Sequence, residues 1–523
     1  MRKVLIPTKL ESVARETLKA KGFAVVQDAD TPIDKLAAAH PDTEALVVRS
    51  EKVTPAVIDS LPDLKVVVRA GAGYDTIDFR HARKKGVDVM NTPGANANAV
   101  AEEVVALILA HLRFIVPGDQ TTRAGKWEKK SYMGRELSEK TVGVVGLGNI
   151  GQLVVKRMSG FDVKFLGYDP VVSPDRAREM GVETVSLPEL FQRSDFVTLH
   201  IPETAETKGM VNKSLLSLMK PGAVLVNCAR AGVVVEEDLR QVKQEKKMGF
   251  LNDVYAKDEA GPKSCADIAD IMVPHLGANT VEANTNAARR AAEQLIAYFE
   301  RGVTKYVVNK GVPDGLDESY QHLAYLVAFV GRRLLGADRS VNRVECSFCG
   351  GLHDFAKWFT SPVVAAVSND FDAASDPQEA ADYLAKKGVS FEVRAPDGDK
   401  GYGKAIAIDL FEGRDVIRKV SLRGTITEGK PLIARVNDFD NVYFQPAGNC
   451  LMVIYQDRPG VLAKITSAVA EAGINIDDIR AQLEPSAKRA LAVLKTNRLL
   501  PEDAVARIRR EVNADVAVAM ALP

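Results

Sequence analysis

TVGVVGLGNIGQLVVKRMSGFDVKFLGYDP, residues 141–170, decides the fold. The apolar run Val142 to Val145 reads as a buried parallel strand. It ends in Gly146-Leu-Gly148-Asn149-Ile150-Gly151, a G-x-G-x-x-G, and an amphipathic helical pattern follows through Leu153, Val154, Val155 and Met158. A second strand, Val163 to Tyr168, ends in Asp169, 18 residues past Gly151. Gly146 allows the tight turn, Gly148 lets backbone approach a pyrophosphate, and Gly151 lets helix and strand pack closely. Phosphates are then favoured on the helix N-terminus, where free N–H groups and the dipole attract anions. Asp169 stands where an acid takes both ribose hydroxyls of NAD and repels the 2′-phosphate of NADP. A lone glycine motif is weak evidence. Here the strand, helix, second strand and acid all stand at the expected spacing.

Outward from this unit, the chain has 523 residues, which at roughly 100–200 residues per domain implies three or four domains. Hydrophobic residues make up 46%, enough for real cores. Lys+Arg and Asp+Glu both number 69, so no global charge draws the chain to nucleic acid or an anionic membrane. The start, MRKVLIPTKL, turns polar too soon for a signal peptide, and no apolar run nears the ~20 residues of a membrane helix. Five cysteines in such a length make no disulfide framework, so a cytoplasmic location is expected.

Upstream, Lys3 to Ile6, Ala24 to Val26, Ala45 to Val48, Leu64 to Val68 and Val87 to Met90 read as strands alternating with helices, and so as a parallel sheet. Arg49, the turn from Arg69 through Gly71, and Asn91 to Asn96 follow three of them. Ligands bind at such strand ends, and two arginines there suggest a small anionic substrate. Ala99 to Ile115 reads as a long helix ending near Pro117. Downstream strands are expected at Phe196 to His200, Ala223 to Asn227 and Ile271 to Val273, and a helix from Val281 to Arg301 should cross back. The expected class is α/β. Two Rossmann-like domains come first: a substrate domain at 1–95 and 285–308 and a cofactor domain at 96–284. After the linker-like Gly311 to Gly315 come an α+β intervening domain at 309–446 and a ferredoxin-like βαββαβ module at 447–523.

Oxidation of a carbinol by hydride transfer needs a base for the hydroxyl proton and a cation for the carboxylate and developing carbonyl. Arg230 follows the strand ending at Asn227, and its planar fork suits a carboxylate. His275 follows the strand ending at Val273 and is the best acid–base candidate among seven histidines. The loop Asp253 to Glu259 supplies acids to stabilise its imidazolium. Cys346-Ser-Phe-Cys349 lies in a strand-like run that turns the two thiols to opposite faces. It lacks a second pair or a nearby histidine, so these read as structural cysteines, and no metal is expected.

The stretches VVRAGAGYDTID (67–78), VMNTPGANANAVAE (89–102), KTVGVVGLGNIG (140–151), LVNCARAGVVVEEDL (225–239) and VPHLGANT (273–280) resemble the D-isomer-specific 2-hydroxy-acid dehydrogenases. QDRPGVLAKITSAVAEAGINI (456–476) resembles an ACT domain, a small-molecule sensor. SLRGTITEGKPLIARVNDF (421–439) resembles the intervening domain of the long forms of that family. The resemblance implies NAD-dependent oxidation of 3-phosphoglycerate to 3-phosphohydroxypyruvate, toward serine. It makes Arg230 the catalytic arginine and His275 the acid–base residue. It assigns substrate contacts to Arg49, Arg69, Gly71 and Asn96. Cofactor contacts fall at Gly146, Gly148, Asn149, Ile150, Gly151, Asp169, Ile201, Cys228, Asp253 and Gly277. The family's catalytic Glu position holds Asp258, with Glu259 beside it as second choice, and the usual Glu-Pro pair is absent. Ala72, Asn149 and Ile201 also depart from frequent family residues.

Two rival readings are a glyoxylate or hydroxypyruvate reductase on the same scaffold and an NAD-sensing binding protein. Arg49 and Arg69, added to Arg230, favour a substrate bearing both phosphate and carboxylate, and the catalytic set argues against a pure sensor. In the ACT module Asn475 matches an effector position, while Tyr455 and Asp457 stand where serine-inhibited relatives often carry His and Asn. Serine inhibition is therefore expected to be weak or absent. Leu451 to Tyr455 is apolar on both faces, so association through the tail is expected, as a homodimer or homotetramer. No nucleic-acid or membrane partner is expected.

Overall fold

In the computed structural model the described residues are 1–523 except 75, 205, 314, 337–338, 374, 396–402, 414–417, 485 and 487. Residue 314 of the linker therefore lies outside them. The chain forms two compact units, one holding residues 1–169, 174–311 and 374–379, the other 170–173, 312–373 and 380–523.

The first unit contains two parallel sheets. One has the order β2-β1-β3-β4-β5, from β1 (Lys3–Ile6), β2 (Ala24–Gln27), β3 (Ala45–Val48), β4 (Val66–Arg69) and β5 (Asp88–Asn91). The helix Val281–Arg301 lays Ala287, Ala288, Ala291, Ala292, Leu295 and Ile296 on this sheet. These positions recur at helical period, and the small alanines permit close approach. Thr280 caps its start by accepting from the Ala283 N–H at 3.1 Å, and Gly302 ends it in the left-handed region. The returning chain stays on this sheet past 308. Asn309 Oδ1 accepts from Val89 N at 2.8 Å, and its Nδ2 donates to the Val87 and Phe79 carbonyls.

The second sheet has seven strands in the order β12-β11-β10-β9-β6-β7-β8. They are β6 (Thr141–Val145), β7 (Lys164–Tyr168), β8 (Val182–Thr184), β9 (Phe196–Leu199), β10 (Val224–Asn227), β11 (Gly249–Asn252) and β12 (Ile271–Met272). All pair in parallel, and strand order reverses beside β6, which opens a crevice at its C-terminal end. Two strands, β8 and β11, are absent from the sequence reading. Both are short, and Gly249-Phe-Leu-Asn252 offers only two large apolar residues to betray it. The helix expected from Ala99 to Ile115 runs Ala97–Leu112 instead. Phe114 breaks it at φ 52°, and a new helix, Ile115–Arg123, holds Pro117 in its first turn, where a missing N–H costs nothing.

In the second unit β13 (Arg343–Phe348), β14 (Ser390–Arg394), β15 (Ala405–Glu412), β16 (Arg418–Thr427), β17 (Lys430–Val436) and β18 (Phe439–Phe444) form a mixed six-stranded sheet, β14-β13-β15-β16-β17-β18, crossed by the helix Glu318–Leu335. Cys346 lies buried in β13 (Arg343–Phe348), and Cys349 just beyond it has the opposite pleat parity. A four-stranded antiparallel sheet, β20-β21-β19-β22, is built from β19 (Gly448–Gln456), β20 (Ile476–Leu483), β21 (Arg489–Thr496) and β22 (Val516–Leu522), and carries the helices Val461–Glu471 and Glu502–Val512 on one face, the βαββαβ order expected. On β19 (Gly448–Gln456), Leu451, Val453 and Tyr455 pack under those helices. Cys450, Met452 and Ile454 join the core of the six-stranded sheet instead. The second apolar face, from which association of tails was expected, is thus covered within the chain itself.

Candidate active site

The glycine turn is shaped by steric need. Gly146 sits at φ 93°, and a Cβ there would stand 2.6 Å from the His200 carbonyl oxygen. A Cβ on Gly151 would come within 2.0 Å of the Gly146 carbonyl. Neither place tolerates a side chain. The helix Asn149–Met158 begins at Gly148 with no side-chain cap, so its first N–H groups stay open to an anion. Asp169, 3% exposed, accepts the Leu147 N–H on Oδ2 at 2.8 Å and so ties the second strand end to the turn. Ile201 is buried just past β9, and Cys228 just past β10. A bare glycine cradle, an uncapped helix start and a buried acid after the second strand together fit a dinucleotide. A cavity of about 580 Å³ opens along this helix, lined by Gly94, Ala97, Asn149, Gln152 and Lys156 among others. It brings the turn after β5 to the glycine loop.

The residues that the resemblance assigns to the substrate gather at the strand ends of the five-stranded sheet. Arg69 Nε donates to the Arg49 carbonyl at 2.9 Å. Gly71 N donates to the Arg69 carbonyl at 2.9 Å, and the Gly71 carbonyl accepts from Thr92 N at 2.9 Å. Asn91 Nδ2 reaches the Ala72 carbonyl at 2.7 Å. The loops after β3, β4 and β5 are therefore one bonded layer. Asn96 stands at its edge, where the helix Ala97–Leu112 begins.

Three loops of the seven-stranded sheet carry the rest. After β10, Asn227 is buried and organises its own turn, accepting from Ala229 N at 3.1 Å and donating to the Arg230 carbonyl at 3.0 Å. This leaves the Arg230 side chain exposed, with Nη1 donating to the Ala229 carbonyl at 2.7 Å. After β11, Asp253 is 1% exposed and accepts Leu276 N at 2.6 Å and Gly277 N at 3.0 Å. After β12, His275 adopts φ 54°, a costly backbone for a branched-ring side chain. Its Nδ1 faces Asp258 Oδ2 at 2.6 Å. The Glu259 carboxylate lies 3.9 Å from Lys257 Nζ instead, so geometry selects Asp258 of the two acids. With Nδ1 engaged, Nε2 is the nitrogen left to exchange a proton.

One residue escaped the sequence reading. Glu103 sits beside Asp253 and shares its surroundings. Its helical phase with Val100, Val104 and Leu107 was a usable signal, since that face is buried. In the ACT module, Asp457 and Asn475 are both exposed, just after β19 and just before β20 (Ile476–Leu483). Asn475 N donates to Asn497 Oδ1 and its Nδ2 to Asp477 Oδ1, both at 3.0 Å. Among the described residues no group of three or more His, Cys, Asp or Glu could hold a metal ion.

Residues 105–277 match the family described as D-isomer specific 2-hydroxyacid dehydrogenase, NAD binding domain, and residues 451–513 match the ACT domain. The chain is 33% identical to the D-3-phosphoglycerate dehydrogenase of Methanocaldococcus jannaschii over 99% of each chain. It is 33% identical to the protein of that name from Mycobacterium leprae over 98% of each. Among solved structures, D-lactate dehydrogenase from Escherichia coli is similar at 25% identity with a TM-score of 0.50, over 58% of this chain and 98% of that one.

Proposed function

The chain belongs to the D-isomer specific 2-hydroxyacid dehydrogenases, and from that premise we propose that it oxidises 3-phospho-D-glycerate to 3-phosphohydroxypyruvate, the first step toward L-serine. It is an NAD-dependent oxidoreductase. The observation that carries the substrate is the reach of the similarity, which runs from the first strand through the ACT tail against proteins bearing that activity's name.

Gly146 to Gly151 and Asp169 would hold NAD, which supplies the hydride acceptor. His275 Nε2 takes the proton from the substrate's 2-hydroxyl as the C2–H bond gives up its hydride. Asp258 at Nδ1 stabilises the imidazolium so formed, and the proton then leaves to water. Arg230 holds the C1 carboxylate and the developing carbonyl oxygen, while Arg49 and Arg69 face the phosphate. Asp253 fixes the amides of Leu276 and Gly277 and so the backbone that presents His275.

Initial rates test the substrate. NAD with 3-phosphoglycerate should exceed NADPH with glyoxylate by orders of magnitude in kcat/KM, and the reverse ranking would favour the reductase. Asp169→Ala should narrow the preference for NAD over NADP. It should also weaken NAD binding about tenfold or more, because the charge-assisted bond to Leu147 N is lost with the ribose contact. Cofactor titrations of wild type and mutant check both effects, and equal wild-type efficiency with the two cofactors would remove the role of Asp169.

We assign effector contacts to Asp457 and Asn475, and expect L-serine at millimolar concentration to inhibit weakly or not at all. Sub-millimolar inhibition abolished by Asn475→Ala would overturn that. Among the described residues no helix is long and apolar enough to cross a membrane. We place the enzyme in the cytoplasm, as a homodimer or homotetramer.

A further inference from the structure

We propose that Glu103 is a positioning residue that keeps its proton at neutral pH and donates it to Asp253, locking the Asp253 carboxylate onto the two backbone amides that follow His275. The inference rests on the reading of His275 as the acid–base residue.

The helix Ala97–Leu112 carries two adjacent acids that face opposite ways. Glu102 is exposed, accepting from Asn98 and lying 3.9 Å from Arg157. Glu103 turns inward, and its Oε2 is buried without a hydrogen-bond partner among the described residues. Both carboxylates converge on Gly277. A Cβ built there would stand 2.9 Å from Glu103 Oε2 and 3.1 Å from Asp253 Oδ2. Two ionised carboxylates are acceptors only, so this arrangement is repulsive until one proton enters it. That proton belongs on Glu103. Asp253 already accepts two amide N–H groups, which favour its charged form, while Glu103 Oε2 has no such donor among the described residues.

The electrostatics agree in sign. Burial first, then the charge of Asp253, pushes the Glu103 carboxyl up to about 8. Burial also raises Asp253, against the two amides, the bond from Glu103 and the attraction of His275. The other titratable groups facing the pair do not supply a counter-cation. The Cys228 thiol, after β10, is pushed up by burial and by both acids. The Tyr255 phenol, beyond Asp253, is pushed up to about 12, chiefly by burial. His275, after β12, attracts the Asp253 carboxylate.

The consequence reaches the acid–base residue through the backbone. His275 holds a left-handed conformation, with its N–H on the Val273 carbonyl at 3.0 Å and the next two amides on Asp253. Strained backbone of this kind persists only where its surroundings over-determine it. Below about pH 8 the protonated Glu103 steadies Asp253. As pH rises through that value the proton leaves, the two acids repel, and the His275 loop loosens. Turnover should therefore fall on the alkaline side with a midpoint set by Glu103.

Infrared titration of the ligand-free enzyme tests this without any substrate. Wild type should show a protonated-carboxyl stretch at neutral pH that vanishes with a midpoint near pH 8. Glu103→Gln should lack that band, and Asp253→Asn should move its midpoint down toward ordinary carboxylates. In kinetics, Glu103→Gln keeps a donor, so kcat at neutral pH should persist while the alkaline fall disappears. Glu103→Leu should lower kcat about tenfold, with little change in the KM for 3-phosphoglycerate. A band that survives Glu103→Gln, or an alkaline limb shared by Glu103→Gln and wild type, overturns the proposal. Should the Glu103 variants fail to fold, a midpoint unmoved by Asp253→Asn does the same. A wrong substrate assignment would leave the infrared result intact, so the two failures are distinguishable.

Discussion

His275→Ala is expected to lower kcat by about 10²–10⁴-fold, the usual worth of a positioned acid–base group. The strand β12 is only Ile271–Met272, yet it delivers His275 to the C-terminal edge of the seven-stranded sheet. Asp258 Oδ2 lies 2.6 Å from Nδ1, and a proton held there would leave Nε2 as the acceptor the proposal needs. The side chain is 42% exposed, so truncation removes chemistry and little packing. Surface changes of that kind cost at most about 0.5 kcal/mol of stability. NAD affinity should barely change, because the glycine turn and Asp169 lie elsewhere on the sheet. Asp258→Asn should cost less than His275→Ala, since the ring would remain. Steady-state kcat at saturating NAD and 3-phosphoglycerate, with a fluorescence titration of NAD, measures both terms. A mutant that turns over at the wild-type rate would remove His275 from the mechanism.

The cofactor half of the fold was legible because its signals are local. Strand, glycine turn, helix and acid are contiguous, and the first and last glycines, Gly146 and Gly151, stand where a Cβ would clash with backbone. Position in the loop put Asp258 ahead of Glu259 but did not show which of them meets the imidazole. Adjacent residues of one loop differ in direction by backbone geometry alone, and only coordinates place Asp258 on the imidazole. Glu103 was missed for a related reason. An acid in an apolar helix reads as solvated until its partner, 150 positions away in sequence, is seen beside it. The tail shows a further limit. Alternate apolar residues on β19 truly face two ways, but sequence periodicity cannot say whose atoms cover the second face. Here the chain's own six-stranded unit covers it.

Arg230→Ala is expected to lower kcat/KM for 3-phosphoglycerate by about 10²–10³-fold, comparable to removing one preorganised donor from a developing oxyanion. The argument starts at Asn227, whose amide bonds to Ala229 N and the Arg230 carbonyl spend the turn's polar groups internally. The guanidinium is thereby presented outward from a rigid base, with a weak local tie to the Ala229 carbonyl that substrate can displace. A planar fork grips carboxylate and carbonyl oxygen together, which the point charge of lysine does less well. Arg230→Lys should therefore recover part of the loss and leave a deficit mainly in kcat, because the developing charge needs the donor geometry more than bound carboxylate does. Arg230 is exposed, so neither substitution should lower the melting temperature appreciably. Parallel measurements on Arg49→Ala and Arg69→Ala separate the roles: phosphate contacts should appear chiefly in KM, and Arg230 in kcat. If Arg230→Ala retains kcat/KM within about threefold of wild type, less than the ~1 kcal/mol of an ordinary hydrogen bond, the cation that polarises the substrate lies elsewhere in the cleft.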